Sequence, residues 1–207
     1  MSEKILITID RDLIHEYNIY YLKNHPTAKN IPFAKKVTEK LYNNDGSPKL
    51  TKSKKQATKI RARKKSEYEK EDALYGMMSL NDLLVIQNRM TMNGIKEKWG
   101  DLGVWIAKKY ELEGKLISNS LVEFRVFSET KANKDLDNLA AGVKFLVDGL
   151  FVKSEMYIDD NYTHINPLII VGEYDKVLPR TEIRISIFDD KIKDVYEKTL
   201  LHINNFK

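Results

Sequence analysis

The sequence predicts an α+β protein built on a mixed β-sheet packed with helices, carrying a basic insertion near its N-terminus. Short apolar or alternating runs, KILITI at 4–9, LVEFRVF at 121–127 and RTEIRISIF at 180–188, read as strands. Between the last two, Leu139, Val143, Leu146, Val147 and Leu150 recur along one face of a helix. Charge is unevenly spread: 13 Lys/Arg stand against 4 acidic residues between Lys35 and Lys70, while the whole 207-residue chain carries only +5.

Composition removes several classes of function. Cysteine is absent, so disulfides, thiol nucleophiles and Cys-based zinc sites are excluded, and any metal must be held by oxygen or by one of 4 histidines. His15, His25, His164 and His202 show no ligand spacing. No apolar run approaches the ~18 residues of a membrane span, and the N-terminus lacks the pattern of a signal peptide. The expectation is a cytoplasmic protein without membrane contact. A basic segment attached to an acid-bearing domain points to a polyanionic partner.

Taken in order, KILITI supplies the first strand within residues 1–10. Residues 11–76 read as a basic appendage of low internal packing, partly disordered: HPTAKNIPF is turn-rich, 33–41 suits a short amphipathic helix, NNDGSP is a dense turn signal, and the lysine-rich stretch beyond it has few large apolar residues. The main domain spans 77–207. Ser79 or Asn81 is placed to cap a helix that Gly94 interrupts, after which Ile95, Trp99, Leu102 and Ile106 continue the helical period; Gly114 marks a stop. The strand at 121–127 leads through a polar loop into the helix around Leu139, with Asp137 at its N-cap and Gly149 at its end. HINPLIIVGEYD and RTEIRISIF follow as strands joined by a turn near 176–179, and Ile192, Val195, Tyr196 and Leu200 stripe a closing helix.

The chemistry gathers around that central helix. Asp135 and Asp137 share a face in extended geometry, and hard cations such as Mg²⁺ bind through one or two carboxylates while keeping waters for phosphate oxygens. Helix capping and turn chemistry explain the same two residues without a metal. Lys144 lies nearly two helical turns beyond Asp137, and Asp148 one turn further, giving the helix a charged face. Asp148 sits where the helix dipole disfavours an anion, so it is a candidate for a functional or buried role. Asp159 and Asp160 point to opposite sides of an extended chain, so one faces the cluster and the other holds a turn. Mutual repulsion among such carboxylates predicts dependence on a cation.

The series KDLDN at 134–138, Lys144 and Asp148 on the helix, the pair Asp159-Asp160, and PRTEIRI at 179–185 resembles the RusA family of Holliday junction resolvases, common in phages and prophages. The likeness spans roughly 77–187, with KILITI as its first strand. It implies Mg²⁺-dependent hydrolysis of phosphodiesters in four-way DNA junctions by a homodimer, with Mn²⁺ as an alternative ion. It also implies that Asp135, Asp137 and Asp160 are essential metal-binding carboxylates, that Asp159 and Asp148 are supporting acids, and that Lys144 is the catalytic-site lysine. Here Ala140-Ala141-Gly142 inserts a turn between the D-x-D-N and the lysine, and residues 11–76 have no counterpart in compact members. Two symmetric nicks suit a two-fold dimer. Lys52, Lys54, Lys55, Lys59, Arg61, Arg63, Lys64 and Lys65, with Lys96 of the main domain, are the expected contacts to the DNA backbone.

Two other readings compete. A haloacid-dehalogenase-type phosphohydrolase also uses D-x-D, directly after a strand; here a polar loop intervenes. A catalytically inactive DNA-binding or structural phage module would keep the fold, but gains nothing from carboxylates facing phosphate.

Overall fold

The computed structural model describes residues 3–53, 55–74, 89–129, 136–161 and 163–188. Its elements are β1 (Lys4–Ile9), α1 (Arg11–Asn24), β2 (Val37–Lys40), β3 (Thr58–Arg61), two single-turn 3₁₀ helices (Lys65–Glu67 and Lys70–Asp72) and α2 (Arg89–Lys109). There follow β4 (Ser120–Ser128), α3 (Leu136–Val147), a π-helical turn (Asp148–Lys153), β5 (Ile165–Tyr174) and β6 (Arg180–Ile187). The chain divides into two compact units, Met1–Asp10 with Gly76–Lys207, and Arg11–Tyr75.

The larger unit is α+β. Its four-stranded sheet runs β1-β6-β4-β5, with β6 antiparallel to both neighbours and β4 parallel to β5. The turn at 175–179 therefore does not close a hairpin, because β4 lies between the strands it joins. A parallel pair needs a crossover, and α3 with the π turn provides it. Strict alternation in β4 buries Val122, Phe124 and Val126 on one face, level with Ile183 and Ile185 of β6. Leu139, Val143, Leu146, Leu150 and Phe151, with Trp99, Leu102 and Ile106 of α2, complete the core.

Glycine behaves differently here from its expected role as a breaker. α2 runs unbroken through Gly94, because a single helical glycine costs only about 1 kcal/mol against alanine and the buried stripe beyond it outweighs that. Gly149 does not end the central helix either. The chain continues through the π turn to Lys153, and a Cβ at Gly149 would overlap the backbone of Gly100, while one at Gly103 would overlap that of Leu150. The glycines thus let α2 and the π turn approach backbone to backbone. The helix begins at Leu136, so Asp137 lies inside the first turn rather than at the cap or in extended chain. Asp148 likewise sits at the junction of α3 and the π turn, not at a helix end. The expected caps Ser79 and Asn81 and the closing helix around Val195 lie outside the described residues.

The smaller unit, Arg11–Tyr75, is not a loosely packed arm. Leu13, Ile14 and Tyr17 of α1 are buried together with Ile31, Phe33 and Ala73. Buried Asn18 donates to the carbonyl of Phe33 (2.8 Å) and accepts from its N–H (3.2 Å), and Leu74 N–H donates to the same carbonyl (2.9 Å). The helix expected at 33–41 gives way to β2, because pairing with β3 satisfies its backbone and the β-branched Val37 and Thr38 suit a strand. Beyond β2 the ribbon extends through isolated pairings Tyr42↔Pro48 and Leu50↔Gln56.

Candidate active site

The loop after the π turn is anchored from below. Tyr157 is buried, and its hydroxyl hydrogen-bonds that of Ser120 at the start of β4 (2.6 Å); burial pushes the phenol up to about 12. Three residues on, the chain turns. Asp159 accepts from the N–H of Asp160 (2.9 Å) and from the side-chain amide of Asn161 (3.0 Å), which together hold its carboxyl below the usual range. Asn161 accepts from the N–H of Thr163 (2.9 Å), and its carbonyl receives the N–H groups of His164 and Ile165, both at 3.1 Å. The turn therefore presents Asp160 while Asp159 is consumed in forming it.

Asp160 meets α3 at Lys144. The ammonium bridges Asp160 and Asp148, lying 2.8 Å from the latter. With the extra turn at Ala140-Ala141-Gly142 in place, the lysine reaches Asp160. Burial works against the charged amine, but its hydrogen bonds to Asp148 and Asp160 outweigh that and hold its pKa above the ordinary lysine value. The Asp160 side chain is 24% exposed, Asp148 42% and Lys144 57%, so the triad is open to a ligand. It stands at the rim of a groove of about 170 Å³ between α3 and β5, floored by Val143, Val147, Ile165 and Leu168.

Of the expected metal set, Asp135 lies outside the described residues and Asp137 is placed only by its backbone, in the first turn of α3. Among the described residues no three His, Asp or Glu side chains converge as an ion would need. What is present fits a hard divalent cation in donor chemistry: two carboxylates already turned toward one positive charge. The charged residues of PRTEI are instead paired locally, Arg180 with Glu182 and with Asp175 (both 2.8 Å). Glu182 accepts from Arg180 (2.8 Å) and Arg184 (2.7 Å), and these two outweigh the effect of its burial to hold its carboxyl low. Arg180 also lies over the ring of Phe127 at 3.8 Å.

The expected DNA contacts separate into two groups. Arg61 is held by Glu39 and by both oxygens of Glu67 (2.8 and 3.0 Å), and Arg63 by Asp72 (2.8 Å), so both arginines bind their own unit rather than standing free for phosphate. Lys65 donates to the carbonyl of Pro26 (2.6 Å), and Lys64 approaches Glu67 at 4.0 Å. Lys52, Lys55 and Lys59 are exposed, and among the described residues none forms an ion pair; Lys54 lies outside those residues. Lys96, on α2, stands 5.7 Å over the ring of Phe145. Lys40 and Lys49, outside the set of expected contacts, are likewise exposed, and among the described residues neither forms an ion pair. VTEKLY, residues 37–42, does not alternate apolar with polar, so no local signal places Lys40 on a strand.

No protein-family model matches this chain, and no curated protein matches it significantly. No helix among the described residues is long and apolar enough to cross a membrane.

Proposed function

We propose that this chain is a metal-dependent endodeoxyribonuclease that resolves four-way DNA junctions by paired hydrolysis of phosphodiesters, acting as a homodimer in recombination and repair. The observation that carries the reading is the Lys144 ammonium bridged between Asp148 and Asp160 at the rim of the α3–β5 groove. Helix α3 and the 159–163 turn, separate in sequence, bring these three charges together. Asp135, Asp137 and Asp160 would hold the ion, with Asp148 and Asp159 in support. Mg²⁺, or Mn²⁺, supplies Lewis acidity and an activated water when bound.

The chain's own residues account for the rest. Lys144 is exposed enough to swing from carboxylate to a phosphate oxygen, placing positive charge where negative charge develops. Asp148 keeps the amine protonated and aimed. The turn knitted by Asp159 and Asn161 fixes Asp160 so that little reorganisation accompanies binding. The exposed lysines at 40–59 would give the smaller unit its own grip on the DNA backbone.

One observation favours a non-catalytic DNA-binding module: Lys144 already satisfies both carboxylates. The haloacid-dehalogenase reading has less support, since β4 ends at Ser128 and the D-x-D lies well beyond it. The test is purified protein on a synthetic four-way junction and a linear duplex, with Mg²⁺ or EDTA, beside Asp160→Asn. Paired nicks in the junction alone, abolished by EDTA and by Asp160→Asn, are expected. Intact but bound junctions in Mg²⁺ refute the enzyme in favour of the module, and equal cutting of the duplex refutes selectivity for junctions.

A further inference from the structure

The β-ribbon of the smaller unit has one face that nothing in the proposed chemistry uses. Residues paired directly across strands share a face and alternate residues along a strand return to it. The pairs Thr38↔Ile60, Lys40↔Thr58, Tyr42↔Pro48 and Leu50↔Gln56 therefore set Tyr42, Leu50 and Ile60 on one side with Lys40. These three large side chains are 56%, 58% and 64% exposed. The opposite side carries Glu39 and Arg61, whose ion pairs with each other and with Glu67 tie that face down.

The open face is held in shape by two tight turns. Asp45 accepts from the N–H of Ser47 (2.9 Å) beside Gly46, whose φ of 80° favours glycine, and Thr51 N–H donates to the carbonyl of Lys55 (2.7 Å). Lys40 lies on this face, Lys52 and Lys55 are exposed in the turn beyond Leu50, and among the described residues none of the three is ion-paired; Lys49 and Lys59 fall on the other side by the same alternation. The nearby acids are already engaged, Glu39 by Arg61 and Asp45 by its own turn.

A partner must offer flat apolar surface and negative charge at once. Unpaired nucleobases with their phosphates do so, whereas a paired duplex hides the base faces, and a second copy would set lysine against lysine. We propose that this face of the ribbon takes up unstacked bases of DNA, with Tyr42 stacking on a base, Leu50 and Ile60 packing beside it and the lysines gripping the flanking backbone. The assignment rests on the junction-resolving reading and deepens it: the ribbon selects the open bases of a branch over linear duplex.

The test measures affinity of the full chain in EDTA, where nothing is cut, for a labelled single strand, four-way junction and linear duplex of matched sequence. Wild type is expected to favour the first two. Tyr42→Ser with Leu50→Ser should weaken those two about ten-fold, as loss of one stacked base does, leaving duplex affinity and salt slope unchanged. Lys40→Ala with Lys52→Ala should lower the salt slope on all three DNAs. A 2-aminopurine placed at the branch should be quenched by wild type and not by Tyr42→Leu. Unchanged affinity of the Tyr42/Leu50 variant for all three DNAs overturns the inference. So does loss of self-association in that variant with DNA binding intact, or capture of phosphatidylserine vesicles in place of DNA. Failure of the inference leaves junction cleavage in Mg²⁺ untouched, and failure of cleavage leaves these affinities standing, so the two readings fail separately.

Discussion

Replacing Lys144 by methionine keeps the length and most of the volume of the side chain while deleting the charge shared by Asp148 and Asp160. Two partly exposed ion pairs are lost, each worth about 0.2–1 kcal/mol, and the more sheltered Asp160 loses its partner. Together these predict a stability loss of roughly 1–2 kcal/mol. If Lys144 neutralises charge in the transition state, single-turnover cleavage of a four-way junction in Mg²⁺ should fall by at least about 100-fold, the loss typical of one deleted electrostatic donor. Lys144→Arg should restore the stability but not the rate, since a planar fork that satisfies two carboxylates meets a phosphate at a different point. Urea denaturation and quenched-flow cleavage measure the two effects independently. Cleavage by Lys144→Met within about 3-fold of wild type would refute the catalytic role, and a stability loss beyond about 4 kcal/mol would make the lysine a structural strut.

Gly149→Ala should destabilise the larger unit by about 1–3 kcal/mol in urea denaturation, because its methyl group meets the Gly100 backbone and a helix must shift; a neutral effect would show that the two backbones are not in contact. The carboxyls of Asp159, Asp175 and Glu182 are held low by hydrogen bonds and arginines. Each contributes stability that is present above its unfolded value, near pH 4, and lost as the pH falls through its lower folded value. Lys144 acts in the opposite sense: its contribution is complete below the ordinary lysine value and lost only as the pH rises through its raised one. Denaturant midpoints measured against pH should therefore fall on the acid side of about 4 and hold level to about 10, and Asp159→Asn should make the acid limb shallower.

The strands of the main sheet are legible in the sequence because one face is buried and the other is not: Val122, Phe124 and Val126 alternate with Glu123 and Arg125. The stripe from Leu139 to Leu150 likewise marks α3. What hides α1 is composition: RDLIHEYNIYYLKN is polar enough to read as surface, although Leu13, Ile14 and Tyr17 fall on one face. Residues 37–40 are a strand for a reason no local rule contains, the presence of 58–61 beside them. Gly149 suggests an ending because turns and close helix contacts ask for the same residue, and only the neighbour, Gly100, tells them apart. In the site, period-two alternation separates Asp160 from Asp159, but that Lys144 reaches Asp160 depends on where the 159–163 turn lands.

The unit between β1 and the rest of the sheet closes on itself. Asp12, at the start of α1, pairs with Lys70 near the unit's end (2.8 Å), and the Asn18–Phe33–Leu74 hydrogen bonds stitch entry to exit again. For the folding chain this changes an effective distance. β1 must find β6 across most of the sequence, Lys4 opposite Ser186, and a floppy stretch of that length would add loop entropy and delay. A 65-residue segment that closes its own ends removes that length from the roughly 170-residue path between β1 and β6, which lowers the closure cost by about 0.4 kcal/mol. Sequence can thus accumulate inside such a closed excursion while the strand pairing on either side of it is barely taxed. That is one physical route by which a four-stranded sheet takes in a second folded unit without losing its own strand pairing.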